Sequence, residues 1–293
     1  MNYQQFVETV KEKLALSFGA DMELYVHDTL KNNGLERKGI TISDHHTNLY
    51  PTIYMEEFYH QFQEGFPLDY IVENIVQVYH EVRFDHVWDV DIIKNFASIQ
   101  SKIAYKLIHA ERNRELLKNM PYVPYFDLVI VFYILFDVDE DGIGTIPVTN
   151  ELAKLWCVDS HELLRIAHRN SPSLIPVSFQ SMSDFLEGIL RKNGQYTHPI
   201  KSVLYILSNS LKNFGASAIL YDGVLEQVAD QIKENFFVIP SSIHEMMIVA
   251  ESDSPGREEL CNIVAEANRE HVEVEEVLSD RVYYYDVNTK ELK

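Results

Sequence analysis

The stretch FDLVIVFYILFDVDEDGIGTIPV, residues 126–148, contains a long apolar run, a short acidic segment and a second run of β-formers. The first run shows no alternation of apolar and polar residues, as is typical of a strand that is covered on both faces. The acidic segment has the aspartates and the glycine that tight turns favour. We therefore predict that this stretch forms a β-hairpin.

The same segment resembles the first half of a calcium-binding EF-hand loop, because Asp137, Asp139 and Asp141 alternate and Gly142 follows them. An EF-hand also needs a bidentate glutamate at the twelfth loop position and a helix in front of the loop. The twelfth residue here is Val148, and the preceding run is β-forming. The three aspartates are therefore predicted to be a hairpin turn and not a metal site.

Working outward from the hairpin, short strands and helices mix along the chain. An amphipathic first helix precedes three predicted strands at 21–30, 35–43 and 48–55, and two further helices follow them. In the last third, strands are predicted at 203–209, 215–221, 236–240, 244–251 and 281–287, with helices at 222–235 and 257–270. Because neighbouring strands are often close enough to form hairpins, we predict an α+β class with mixed, largely antiparallel sheets and packed helices.

The proline-containing segment from Pro121 to Pro124 is the best candidate for a domain boundary, since prolines interrupt regular elements. We predict two subdomains on this basis. Residues 1–120 form an N-terminal α+β domain with a helix, a three-stranded sheet and further helices. Residues 121–293 form a C-terminal α+β domain.

Composition and charge limit the classes of partner. The 293 residues are 46% hydrophobic, enough for a substantial core, and the net charge is −20. Such an acidic chain repels phosphate backbones and anionic lipids, so we expect no nucleic-acid and no membrane partner. Two isolated cysteines, Cys157 and Cys261, indicate a reducing compartment. The first 18 residues lack the pattern of a signal peptide, so we expect a cytoplasmic protein.

The segment IPSSIHEMMIV, residues 239–249, is the most suggestive for catalysis. Ser241, Ser242, His244 and Glu245 place hydroxyls, an imidazole and a carboxylate within five residues. Nucleophilic catalysis requires the imidazole to contact the hydroxyl and an acid to orient the imidazole. In an extended hairpin, His244 and Glu245 point to opposite faces, so the group cannot form a triad by itself. The alternative is a tight turn in which the serines hydrogen-bond the backbone. These four residues are the only catalytic candidates.

Metal and cofactor motifs are missing from the sequence. The His-Glu pairs at His80, His161 and His244 lack a second histidine four residues later, which a zincin helix needs. His45 and His46 are adjacent in a predicted solvated turn, where a metal would bind only adventitiously. Neither GxGxxG nor GxxxxGK[ST] occurs. We expect no metal and no cofactor.

The chain resembles a bacterial family of unknown function that is found mainly in anaerobic gut bacteria. Six segments carry the resemblance: MNYQQFVETVKEKL (1–14), LKNNG (30–34), PTIYMEEFYHQF (51–62), KLIHAERNRELLKNMPYVPYFDLVIVFY (106–133), ENFFVIPSSIHEMMIV (234–249) and EEVLSDRVYYYD (275–286). The resemblance covers nearly the full length. It implies an intracellular protein without a cofactor motif, and it supplies no catalytic residues.

Three hypotheses about function follow. The first is a cytoplasmic, cofactor-free protein that acts by binding a protein partner. The second is a hydrolase-like enzyme with a pocket near the segment Ser241–Glu245. The third is an acidic mimic of nucleic acid, which requires the carboxylates to cluster on one face. The sequence indicates no oligomeric state.

Overall fold

A computed structural model describes residues 1–19, 22–44, 50–83, 91–138, 143–192 and 201–293. The chain divides by contact into two compact units. The first consists of Met1–Lys31 and Leu35–Ile93, and the second of Asn32–Gly34 and Lys94–Lys293. None of the helices in the described residues combines the length and the apolar composition that a membrane span requires.

The first unit places helices against a three-stranded antiparallel sheet of order β1-β2-β3. Its elements are α1 (Tyr3–Phe18), β1 (Glu23–Leu30), β2 (Glu36–Ser43), β3 (Thr52–Tyr54), α2 (Glu56–Gln63) and α3 (Leu68–Val82), with α4 (Asp91–Lys94) at its end. A capping box between Asn2 and Gln5 starts α1. The apolar stripes of α1 and α3 meet Ile40 and Ile42 of β2 in one core, as the helical spacing predicts.

The second unit contains a four-stranded and a six-stranded antiparallel sheet. Its first elements are α5 (Phe96–Ile99), β4 (Ile103–His109), α6 (Arg114–Leu117), β5 (Tyr122–Tyr125), β6 (Leu128–Val138), β7 (Ile143–Pro147), α7 (Asn150–Trp156) and α8 (Ser160–Leu174). The remaining elements are β8 (Val177–Ser181), α9 (Met182–Lys192), β9 (Leu204–Asn209), α10 (Val224–Ile232), β10 (Phe236–Ser242), β11 (Glu245–Ala250), α11 (Arg257–Glu270), β12 (Tyr283–Asp286) and β13 (Glu291–Leu292). The predicted α+β class with antiparallel sheets is confirmed.

Strand β6 lies at the centre of the four-stranded sheet. It pairs with β4 along one edge and with β5 and β7 along the other. All residues from Leu128 to Leu135 are buried, which explains the apolar run without alternation. The pairing of β6 with β7 confirms the predicted hairpin strands. Asp137, which was predicted to lie in the turn, is instead part of β6 and pairs with Gly144, whereas Asp139 and Asp141 are outside the described residues.

The segment around Pro121 and Pro124 is a strand in the structure. Tyr122–Tyr125 forms β5 and pairs with β6, while β4 pairs with β6 from Ile103↔Ile134 to His109↔Leu128. Residues 103–109 and 128–134 therefore share one sheet across the predicted boundary at 120/121. The first compact unit ends earlier, at Ile93. As a statement about independently folding domains, the boundary at 120/121 stays a prediction.

The predicted strand at 215–221 is wrong, because Gly215–Leu220 forms a 3-10 helix. The apolar residues and the branched Ile219 suggested a strand, although glycine and alanine are poor strand formers. Two local features favour the helix. Phe214 has a φ of 54°, which turns the chain just before the helix, and Ala216 N–H donates to the carbonyl of Ile243 instead of to a neighbouring strand. The small residues at the start of the segment also let its backbone approach β9 closely.

Candidate functional site

Three neighbouring strands of the six-stranded sheet, β11, β9 and β8, place polar and apolar side chains in two rows on one face. Gln180 pairs with Ile206, and Ile206 pairs with Met247, which makes the first row. Ser178 pairs with Ser208 in the adjacent row. Glu245 precedes Met247 by two residues, so it points to the same face as both rows because side chains alternate along a strand.

Helix α9 covers this face and closes it into a cleft of about 270 Å³. The cleft is lined by residues from the three strands, from α9 and from the segment after β9: Ser178, Gln180, Met182, Phe185, Ile206, Ser208, Lys212, Glu245 and Met247. Its floor is apolar, while one lysine and one glutamate supply the charges. Small-molecule sites commonly combine an apolar lining with few polar groups in this way.

The carboxylate of Glu245 is held by two serines. The hydroxyls of Ser241 and Ser242 donate to Oε1 of Glu245, at 3.3 Å and 3.2 Å. Both bonds use the same oxygen, so Oε2 is left for another donor. A bulge in the pairing of β10 with β11, between Pro240 and Ser242, gives both serines access to one carboxylate.

The segment after β9 carries Lys212 to the cleft on a strained backbone. Lys212 and Phe214 have φ values of 52° and 54°, in the left-handed region that L-residues rarely adopt. Asn209, which is 1% exposed, stabilises this conformation. Its amide donates to the carbonyl of Asn213 at 2.8 Å, and its side-chain oxygen accepts from the N–H of Leu211 at 3.1 Å. Such strain persists only where surrounding contacts enforce it, and it concentrates at functional sites.

The imidazole of His244 supports the same segment from the other side. Its Nδ1 accepts a hydrogen bond from the N–H of Phe214 at 3.3 Å, and its ring stacks on the Phe214 ring with centroids 6.0 Å apart. Nε2 lies 3.4 Å from Oε1 of Glu276. Since Nδ1 accepts a hydrogen bond, the neutral ring carries its own proton on Nε2, facing Glu276.

The backbone around His244 is tied to the cleft as well. Its N–H donates to Oγ of Ser242 at 3.0 Å, and its carbonyl accepts from Oγ of Ser208 at 2.7 Å. Gly215 packs directly above these groups. A Cβ at Gly215 would lie 2.1 Å from Oγ of Ser208 and 2.5 Å from the His244 carbonyl oxygen. The cleft wall and the strained segment therefore depend on a residue without a side chain at position 215.

The four residues predicted as catalytic candidates lie together but make different contacts from those of a catalytic triad. Ser241 and Ser242 bond to Glu245, whereas the His244 ring contacts Phe214 and Glu276. The ring of His244 has both nitrogens engaged in these contacts. The arrangement holds a carboxylate and a loop in place, and a catalytic role for the four residues stays a prediction.

Sequence reasoning missed the residues that complete the cleft, notably Lys212, Gln180 and Ser208. Each lies more than thirty residues from Glu245 along the chain. Ser178 and Gln180 alternate with Phe179 along β8, but nothing local indicates that β9 pairs with both β8 and β11.

Several of the histidines and aspartates that the sequence raised as metal-site alternatives lie outside the described residues. His45 and His46 lie outside them, as do Asp139 and Asp141. His168 on α8 is 3.0 Å from Asp222 through its Nε2, and this pair is solvent-facing. In the ranges that the structure describes, no group of three or more His, Cys, Asp and Glu side chains is arranged to hold a metal ion.

Replacing His244 by alanine is expected to lower the free energy of unfolding by about 1–3 kcal/mol, because the N–H of Phe214 loses its acceptor and Glu276 its partner. His271→Ala, at the exposed end of α11, is the matched control and should change stability by less than about 0.5 kcal/mol. Urea denaturation followed by circular dichroism measures both. Equal losses in the two variants would show that the His244 ring does not support the segment.

These features define an α+β protein with a ligand-sized cleft on one sheet face. The chain belongs to a family of unknown function, DUF5688, whose model matches residues 3–287. The resemblance to a family of unknown function over nearly the full length is thereby confirmed. No curated protein and no solved structure matches the chain.

Proposed function

We propose that the protein binds a small, largely apolar molecule in the cleft between α9 and the strands β8, β9 and β11. The observation that carries the proposal is the strained segment at Lys212 and Phe214, which holds a charged side chain at an apolar cleft. Two such residues cost on the order of 1–3 kcal/mol each. Binding is a function that repays this cost, because a preorganised site loses less entropy on association.

The contacts of Glu245 support binding more than hydrolysis. The hydroxyls of Ser241 and Ser242 donate to the carboxylate of Glu245, which fixes the carboxylate without activating either hydroxyl oxygen as a nucleophile. The hydrolase-like hypothesis at the segment Ser241–Glu245 requires the His244 ring to leave Phe214 and to turn towards a serine. Loss of a measured hydrolytic activity in His244→Ala, with the fold retained, would favour that hypothesis.

Methionine methyl groups provide the test of binding. Met182 and Met247 line the cleft, whereas Met246 is fully buried and points to the opposite face of the sheet. With 13C-methyl methionine labelling, a set of small acids, amines, amino acids, alcohols and amides is screened by NMR. We expect at least one compound to shift the Met182 and Met247 signals and to leave Met246 nearly unchanged.

A matched pair of variants shows where the compound binds. Gln180→Trp fills the cleft and should abolish the shifts, while Val177→Trp, on the other face of β8, should preserve them. Absence of any shift across the screen, or shifts that persist in Gln180→Trp, would contradict binding in this cleft.

Binding of a protein partner in the cytoplasm is the second candidate function. The observation that favours it is the exposed face of α11, where Ile263 is 51% exposed between the exposed residues Glu259, Glu266 and Glu270. An apolar side chain among carboxylates suits a partner with a basic rim. Capture of the tagged protein from its native lysate at low and high salt tests this function. The same assay also tests the third hypothesis, an acidic mimic of nucleic acid. An origin in anaerobic gut bacteria stays a prediction.

A further inference from the structure

We infer that the ligand of the cleft is a zwitterion of about amino-acid size with an apolar side chain. The inference rests on the proposed binding function and specifies the chemistry of that site. It depends on three features of the cleft: two opposite charges that are not paired with each other, an apolar floor, and a small volume.

The two charges are available to a ligand. Across the parts of the chain that the structure describes, neither Lys212 nor Glu245 forms a salt bridge, although both line the same cleft. The ammonium group of Lys212 instead lies 5.0 Å from the centre of the Phe185 ring. Glu245 offers Oε2, because the serine hydroxyls of the neighbouring strand use Oε1.

Charge complementarity then selects the ligand class. A ligand with only an anionic group would meet Lys212 but would also face the carboxylate of Glu245. A ligand with only a cationic group would meet Glu245 but would also face the ammonium of Lys212. A molecule with a carboxylate and an ammonium group satisfies both side chains, and each charged hydrogen bond adds more affinity than a neutral one.

The apolar residues on the floor of the cleft indicate that the ligand carries an apolar group. Ile206 and Met247 of the sheet face Met182 and Phe185 of α9 across the cleft. Methionine side chains adapt to ligands of different shape, so the floor accepts branched, linear or aromatic groups. Burial of such a group against these four residues supplies the hydrophobic part of the affinity.

The size of the cleft excludes larger ligands. Its volume of about 270 Å³ lies just below the roughly 300–1,000 Å³ that drug-sized ligands occupy. A nucleotide or a phosphorylated sugar would also bring two negative charges to a single lysine next to a glutamate. A free amino acid with an apolar side chain matches both the volume and the charges.

The test compares three probes that differ only in their charged groups: L-leucine, 4-methylpentanoic acid, which lacks the amino group, and 3-methylbutylamine, which lacks the carboxylate. The full-length protein with 13C-methyl methionine is titrated with each probe, and the Met182 and Met247 shifts give the dissociation constants. L-Methionine and L-phenylalanine extend the series. We expect leucine to bind at least about tenfold more tightly than either singly charged analogue.

Two variants assign the charges. Lys212→Gln removes the positive charge and shortens the side chain by one atom. Glu245→Gln keeps the side-chain length and retains an oxygen for the serine hydroxyls. We expect each variant to weaken leucine binding at least about tenfold. Lys212→Gln should leave the affinity for 3-methylbutylamine unchanged or increase it, and Glu245→Gln should do the same for 4-methylpentanoic acid. Unchanged spectra of Met55 and Met120 confirm that both variants are folded.

The outcomes separate the inference from the proposed function. If a singly charged or neutral compound shifts Met182 and Met247 and binds as tightly as the amino acids, the assignment of a zwitterionic ligand is wrong and the proposed binding in the cleft stands. If the amino acids bind but both variants retain full affinity, the assignment of Lys212 and Glu245 is wrong. If no compound shifts the two methyl groups, both the ligand class and the proposed function are wrong.

Discussion

Replacing Gly215 by alanine is expected to lower the free energy of unfolding by about 3 kcal/mol. The added Cβ would lie 2.1 Å from Oγ of Ser208, 2.5 Å from the carbonyl oxygen of His244 and 2.8 Å from the backbone nitrogen of Asn209. Two of these atoms belong to the backbone of strands or their turns, so they cannot move aside without breaking sheet pairing.

Gly188→Ala is the matched control for this substitution. Gly188 lies within α9, and a Cβ there meets no atom within 4 Å. Alanine should therefore leave stability unchanged or raise it by about 0.5–1 kcal/mol, because glycine is the weaker helix former. Urea denaturation followed by circular dichroism gives both values. A Gly215→Ala variant as stable as the wild-type protein would mean that the segment 209–215 relaxes away from β9.

If the Gly215→Ala variant stays folded, its effect on the cleft is also measurable. The methyl group would push the segment 209–215 away from Ser208 and His244, and Lys212 moves with that segment. We therefore expect weaker binding of any cleft ligand in Gly215→Ala than in Gly188→Ala, measured by the same methionine signals.

Dividing the chain at 120/121 is expected to give a C-terminal fragment, 121–293, that does not fold. The fragment 121–293 would lack β4, whose seven residues pair with β6, and would lose the buried side chains of Ile103, Tyr105 and Leu107. Burial of each such side chain contributes about 1.5–3 kcal/mol. Their combined loss is comparable to the roughly 5–15 kcal/mol stability of a typical domain.

Division at 93/94 is the matched control. The fragment 94–293 keeps both sheets of the second unit and lacks only the segment Asn32–Gly34 from that unit. The side-chain amide of Asn33 donates to the carbonyls of Val274 and Val277, so we expect the fragment to be folded but less stable than in the full chain. Soluble yield, NMR signal dispersion and the cooperativity of unfolding compare the fragments. A cooperatively folded 121–293 fragment would support the predicted boundary at Pro121–Pro124.

Elements with strong local signals could be predicted from the sequence. The helical spacing of apolar residues predicted α1 and α3, whose apolar stripes pack into one core. The apolar run before Asp137 predicted a strand covered on both faces. Each of these signals lies within one element, where the period of side-chain burial reports the local backbone directly.

The cleft depended on contacts between distant segments. Lys212, Glu245 and Gln180 belong to different elements, and only the strand order β11-β9-β8 brings them to one face. The same is true of Gly215–Leu220, which is predicted as a strand but forms a 3-10 helix whose first residue lies close to Ser208 and to the carbonyl of His244. Local patterns were sufficient for the class, the first helices and the central hairpin strands. The strand order, the strained segment and the cleft could be seen only in the tertiary structure. The alternation of side chains along a strand shows which residues face the core, but it carries no information about which other strand pairs with it.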